Sequence, residues 1–303
     1  MNSSSKRDDT DPEGIRPRLL ALAYRMLGSV ADAEDAVQDA YLRLQHAGEI
    51  NSTDAWLVKA TTRLCIDRLR LVKRRKEYVG PWLPEPTTEG WDGAAIDRPE
   101  LAESLSMAFL VLLETLSPAE RAAYLLREVF NYEFEEIATL LDKTPVNVRQ
   151  IAARARKRLG EREHRFVPTT GEADSLAARF FDACRSGDIE AIESLLTPDV
   201  VYYSDGGGKA HAAPRPILGP RKIANLLAVV HRKRRVYCEV SMTTVNGQPG
   251  VVFLEAGKAI QITTFASEQG RVTTLYTVLN PDKLRRWPSA TSAENNGVTT
   301  NIS

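Results

Sequence analysis

The sequence predicts a multidomain chain of two all-α helical domains followed by an α+β domain. Three observations lead there. Apolar residues recur at helical spacing through residues 15–78 and again through 100–166. Between them lies GPWLPEPTTEGWDGAAIDRP, rich in Pro, Gly and acidic residues and without any period, which marks a linker over 79–99. Beyond residue 172 the pattern changes to short β-rich runs broken by Asn246-Gly247, Ala256-Gly257 and Gln269-Gly270, each a hairpin-turn pair. A chain of 303 residues is long enough for two or three cores of this kind.

The elements follow in order. Residues 1–14 are polar and read as a disordered leader. Ile15 to Leu27 is a first helix, ended by Gly28-Ser29. Asp32 to Gln45 is a second, with Ala33, Val37, Ala40, Tyr41 and Leu44 inward. A third spans Ala55 to Arg75 with Asp54 as its cap, Leu57, Ala60, Leu64 and Leu71 inward, and its basic residues gathered near the C-terminal end. In the second helical domain, Phe134–Leu141 buries Ile137, Leu140 and Leu141. Asp142-Lys143-Thr144 turns the chain, Thr144 caps the next helix, and Pro145 takes its first position. In that helix Val148, Ile151, Ala152, Ala155 and Leu159 form one stripe, with Asn147, Gln150, Arg154 and Lys157 opposite. Over 172–287 come helices near Ala173–Ser186 and Ile189–Leu196, a strand Val200–Tyr203, the turn Asp205-Gly206-Gly207-Gly208 and a helix Pro220–Arg232. Four runs follow, Val236–Val245, Val251–Glu255, Ala259–Ala266 and Val272–Leu279, expected as an antiparallel meander wrapped on helices. Residues 288–303 read as a mobile tail.

Charge narrows the function. Lysine plus arginine equals aspartate plus glutamate at 40 each, yet seven basic residues and two glutamates lie between Arg149 and Arg165, and seven basic residues and one aspartate between Arg63 and Lys76. Two separated basic helices in a neutral chain point to two contacts with one polyanion. An amide-and-arginine face at the start of a helix suits the DNA major groove, where amides read adenine and guanidinium groups read guanine. Cys65, Cys184 and Cys238 are distant and lack C-x-x-C spacing, so neither a disulfide framework nor a metal site is expected, and no cofactor is implied. The first residues lack the apolar core of a secretory signal and no apolar run reaches the ~18 residues of a membrane span, so a cytoplasmic protein without membrane contact is expected.

The segments LLALAYRMLGSVADAEDAVQDAYLRLQ, AWLVKATTRLCIDRLRLVKRRK and LSPAERAAYLLREVFNYEFEEIATLLDKTPVNVRQIAARARKRL together resemble regions two and four of extracytoplasmic-function sigma factors. The resemblance implies a promoter-specificity subunit of bacterial RNA polymerase. It places Asp32, Glu34, Asp35, Gln38 and Asp39 on the coiled coil of the polymerase β′ subunit. It gives Trp56, Lys59, Arg63 and Arg70, with the loop 46–54, Thr62 and Asp67, to the −10 element. Asn147, Arg149, Gln150 and Arg154 would meet the −35 element, with Arg156, Lys157 and Arg158 on phosphates.

Residues 172–287 resemble the SnoaL-like, or ketosteroid-isomerase-like, cone-shaped domain that one subgroup of the family carries as an extension. Three short motifs carry this: Trp82-Leu83-Pro84-Glu85-Pro86, Asp205-Gly206-Gly207-Gly208-Lys209, and Asn280-Pro281-Asp282-Lys283-Leu284. The resemblance implies a domain that modulates the sigma modules by packing on the linker and on region two, with room for an unknown small ligand. Tyr202, Asp205, His211 and His231 are acid–base candidates, but no spacing pairs a base with an orienting group, so catalysis is not expected. A ligand-gated DNA-binding regulator and a cyclase or isomerase are the rival readings.

Overall fold

In the computed structural model, the described residues are 12–71, 78–88, 104–160, 170–234 and 237–288. The chain forms two compact units. One comprises Met1–Val72, Asp92–Leu101 and Leu113–Leu159. The other comprises Lys73–Trp91, Ala102–Leu112 and Gly160–Ser303.

The first unit opens with α1 (Arg16–Leu27), α2 (Val30–Leu44) and α3 (Thr53–Leu71). Gly28 stops α1 in the left-handed conformation, φ 67°, and returns its N–H to the Tyr24 carbonyl. Ser29 then caps α2 by accepting from the Asp32 amide. The cap of α3 is Ser52, whose hydroxyl accepts from Ala55 N at 3.3 Å. The expected cap, Asp54, instead lies in the first turn, where its charge complements the helix dipole. Leu19, Leu22, Tyr24, Met26, Val37 and Leu57 form the buried centre of this bundle. Leu71, the last residue of α3, does not join it and is 80% exposed.

After α4 (Met107–Leu113) come α5 (Pro118–Tyr124), α6 (Phe134–Leu141) and α7 (Pro145–Leu159). A capping box between Ser117 and Glu120 starts α5. The stripe Val148, Ile151, Ala152, Ala155 and Leu159 of α7 is buried as the periodicity requires. Helix α3 packs against α5 and α6, so the N-terminal bundle and the helix-turn-helix share one unit. Arg121 stitches them: its Nη1 donates to the Met26 carbonyl at 2.7 Å and pairs with Glu114 at 2.9 Å.

The second unit contains α8 (Thr170–Ser186), α9 (Ile189–Ser194), β1 (Leu196–Asp205), β2 (Ile217–Leu218), α10 (Pro220–Arg234), β3 (Glu239–Val245), β4 (Gln248–Glu255), β5 (Lys258–Glu268), β6 (Arg271–Val278) and α11 (Pro281–Leu284). The six strands lie in the order β2-β1-β6-β5-β4-β3. The expected hairpins are present, and in each both turn residues have positive φ, as the twist-matched type I′ turn requires. The sheet is not a pure meander. Between β1 and β6 the chain passes through β2, α10 and the strands β3 to β5, and β1 pairs with β6 in parallel.

Both faces of this sheet are buried. Leu176, Phe180 and Ile192 of the two preceding helices, with Ile223 and Leu227 of α10, cover the face of Val251, Phe253, Phe265 and Leu275. On the other face Leu83, Met107, Ala108 and Leu284 pack on Val252, Ile262, Tyr276 and Val278. Leu83 of the linker, and Met107 and Ala108 of the second helical segment, fall in this same compact unit and complete its core.

Candidate nucleic-acid interface and its internal restraints

On α7, Asn147, Arg149, Gln150, Arg154, Lys157 and Arg158 are all exposed. The Thr144 hydroxyl accepts from the Asn147 amide at 3.3 Å and Pro145 opens the helix, as expected. Each arginine of the helix has an acidic neighbour. Arg149 meets Glu135 at 2.7 Å, Arg156 meets Glu128 at 2.5 Å, and Arg158 and Arg154 approach Glu120 at 3.0 and 3.8 Å. Burial raises the Glu120 carboxyl, but hydrogen bonds from Ser117 and the two arginines outweigh it and hold the group below its ordinary range. Arg158, expected on phosphate, is thus also a tie between α7 and α5. The exposed pairs of Arg149 and Arg156 contribute about 0–1 kcal/mol each and exchange readily for phosphate. Val146, which the sequence pattern did not single out, is 62% exposed beside these residues.

On α3, Lys59 and Arg63 converge on one carboxylate. Lys59 Nζ lies 2.9 Å from Asp142 Oδ1, and the Arg63 guanidinium meets Oδ2. Burial, and then the Arg63 charge, lower the Lys59 pKa. Asp142 closes α6 in the left-handed conformation, φ 51° and ψ 53°, where glycine is the usual residue. Arg70 is exposed and pairs with Asp67 at 3.3 Å, and Trp56 is half-buried. Thr62 is buried with its hydroxyl on the Val58 carbonyl, which removes it from the surface set.

On α2, Asp32, Asp35 and Gln38 are exposed and Glu34 is half-buried. Asp39 is engaged internally by Arg68 at 2.8 Å, and Arg68 also donates to the Asp32 carbonyl. The position of Asp39 is therefore explained by the packing of α2 on α3. Leu42, one helical turn beyond Gln38, is an exposed apolar residue on this helix.

The three motifs of the second unit meet at Asp205, which is fully buried. Its Oδ1 accepts from the Tyr78 hydroxyl at 2.5 Å and Gly207 N at 3.0 Å. Its Oδ2 accepts from Leu83 N at 2.9 Å and Lys283 Nζ at 2.6 Å. Lys283 also donates to the Leu83 carbonyl, and its ammonium sits 4.1 Å over the Trp82 ring. Asn280 donates to the Tyr78 hydroxyl at 2.8 Å and caps α11 through Asp282 N, with Pro281 in the first turn. Lys209 pairs with Asp282, and Pro84 is buried beside Leu83. Gly206 has no room for a side chain, since a Cβ would fall 2.3 Å from the Ala210 carbonyl oxygen. Gly207 and Gly208 both have positive φ. The triple glycine is thus a tight turn that presents its amide to Asp205.

The sequence pattern does not mark Tyr78, and it marks Asn246 only as a turn residue. The Asn246 side chain nevertheless accepts from Thr87 N at 3.1 Å and donates to the Leu105 carbonyl at 3.2 Å, fastening the linker and the segment that follows it. Nothing in the local pattern announces partners so distant in sequence.

The acid–base candidates do not converge. Tyr202 belongs to the helix-covered face of the sheet and Asp205 to the linker side, while His211 is exposed. His231 stands edge-on to Phe253 at 5.1 Å; burial and then Arg234 push its pKa down to about 4. Phe180, Phe181 and Phe265 meet at 5.6–6.1 Å between centroids inside the cone. Cys65 and Cys184 are free and buried, and burial raises both thiols to about 12. Among the described residues no group of three His, Cys, Asp or Glu is placed to hold a metal, and no helix is long and apolar enough to cross a membrane.

Comparison with known proteins gives this geometry a family. Sigma-70 region 2 matches residues 13–75 and sigma-70 region 4 matches residues 106–159. The chain is 34% identical to the ECF RNA polymerase sigma factor SigJ of Mycobacterium tuberculosis, over 91% of this chain and 93% of that one. It is 28% identical to the probable ECF RNA polymerase sigma factor SigI of the same species, over 89% and 92%. The crystal structure of M. tuberculosis SigJ superposes with a TM-score of 0.72 at 32% identity, covering 90% of this chain and 96% of that one. With an acidic helix, two basic helices and an α+β domain following them in the chain, this protein belongs to the extracytoplasmic-function sigma factors, the promoter-specificity subunits of bacterial RNA polymerase.

Proposed function

We propose that the C-terminal unit regulates this sigma factor by holding its linker, and that the promoter-melting face of α3 is closed by an internal latch. In this reading Asp32, Asp35 and Gln38 of α2 dock on the β′ coiled coil of core polymerase, with Glu34 and Asp39 supporting that face. Lys59, Arg63, Arg70 and Trp56 handle the −10 element, and α7 reads the −35 element. The C-terminal unit serves as a clamp and not as an enzyme, and the chain acts in the cytoplasm.

The observation that carries the reading is the buried Asp205 carboxylate, which gathers Tyr78, Leu83, Gly207 and Lys283. A linker bound along a folded domain cannot extend, and regions two and four must separate to span a promoter. Asp142 supports the second part, since it occupies the two cations most suited to the non-template strand. The opposed positions of Tyr202 and Asp205 support the absence of catalysis.

Run-off transcription with purified core polymerase tests this. Wild-type protein initiates at a promoter selected from a genomic library, and Asp205→Ala and Trp82→Ala change initiation at least severalfold in the same direction. Point variants are cleaner than deletion after residue 166, because removing the domain bares Leu83, Met107 and Ala108. Unaltered output from both variants removes the clamp; failure of wild type to bind core polymerase removes the assignment of α2.

A further inference from the structure

We infer that Val146 reads the methyl group of a thymine in the −35 element, an inference that rests on α7 being the −35 reader. Every other large apolar side chain of α7 is buried: Val148, Ile151 and Leu159 all face the core. Among the described residues 104–160, Val146 is the large hydrophobic side chain that stays exposed, at 62%. An apolar group in that place adds nothing to the core of the helix-turn-helix.

The position is also prepared for contact. Pro145 precedes it, and the Thr144 hydroxyl bonded to Asn147 N fixes the first turn. A β-branched side chain on a pinned helical backbone has essentially one rotamer, so little freedom is lost on binding. The arginines of this helix lie beside their own carboxylates. Val146 has no polar alternative. In the major groove the apolar group displayed by a base pair is the C5-methyl of thymine. Gln150 lies four residues on, on the same helical face, and its amide suits adenine. The expected readout is a thymine contact beside an adenine contact, both made from the first two turns.

The experiment uses full-length protein with core polymerase. A −35 element is first selected from a randomised library, and each thymine of the selected element is then replaced by deoxyuridine, which removes only the methyl. At one position the wild type should lose about fourfold in initiation, the value of one buried methyl group. The same replacement should be silent in Val146→Ala, and the two proteins should be equal on the uracil template, which also shows that the variant is folded. The inference is overturned if no thymine shows methyl dependence in the wild type, or if the dependence persists in Val146→Ala. A library that returns no −35 preference removes the assignment of α7 itself, and the inference with it.

Discussion

Asp205 and Asp142 do the same job in opposite settings. Each carboxylate gathers basic and polar groups from distant parts of the sequence. Asp205 is fully buried, and its two oxygens hold four donors. Asp142 is 58% exposed at its side chain and holds two cations that water also reaches. A desolvated carboxylate that loses its partners pays heavily, whereas an exposed one trades them for water or phosphate at little cost. In the proposed reading the first stays closed and the second opens, since a polyanion arriving at α3 competes with an exposed carboxylate for Lys59 and Arg63.

Three experiments sharpen or break this contrast, beginning with the largest effect. Asp205→Ala should destabilise the C-terminal unit by about 3–5 kcal/mol, because Lys283 keeps its charge and loses its carboxylate. The amide of Leu83 should exchange its hydrogen much faster, with little dependence on salt. A loss below about 1 kcal/mol in denaturant titration shows that Asp205 is not the hub.

Next comes pH. His231 has a folded pKa of about 4, below its ordinary value of 6.5, so the unfolded chain takes up its proton first. This contribution to stability is whole above pH 6.5 and fades as pH falls toward 4, by up to about 3 kcal/mol. His231→Phe should flatten that part of the stability–pH curve. A wild-type curve unchanged across that window contradicts the buried, neutral imidazole.

The smallest effect on stability belongs to Asp142→Gly. It removes two exposed ion pairs but relieves the left-handed residue, so the net change should stay within about 1 kcal/mol. Function should respond more strongly: binding to a −10 non-template oligonucleotide should tighten in the variant. Raising salt from about 0.1 M to about 1 M cuts the screening length from about 10 Å to about 3 Å and should erase the difference. Equal affinities at low salt mean that Asp142 does not guard α3.

Much of this organisation was legible in the chain. The bounds of Phe134–Leu141 and the start of the following helix follow from an apolar period, a Thr cap and a proline. The three hairpins follow from Xaa-Gly pairs that tolerate positive φ. The convergence of Trp82–Pro84, Asp205–Lys209 and Asn280–Lys283 was expected only as a shared motif set, and their meeting at one carboxylate is a matter of packing. Leu71 shows the limit of periodicity, since it keeps helical spacing yet ends 80% exposed. Asp39 shows another: its ion pair with Arg68 joins residues 29 positions apart, beyond any local rule.

Local chemistry, then, determined the helices, the turns, the caps and the two basic surfaces, because each depends on neighbours within a few residues. The tertiary structure alone decided that Leu83, Met107 and Ala108 complete the C-terminal core, that Tyr78 and Asn246 fasten the neighbouring backbone, and that Asp142 occupies Lys59 and Arg63. Those contacts join residues some 80 to 200 positions apart, and burial and charge pairing at such separations follow from how faces meet, which no short stretch of sequence encodes.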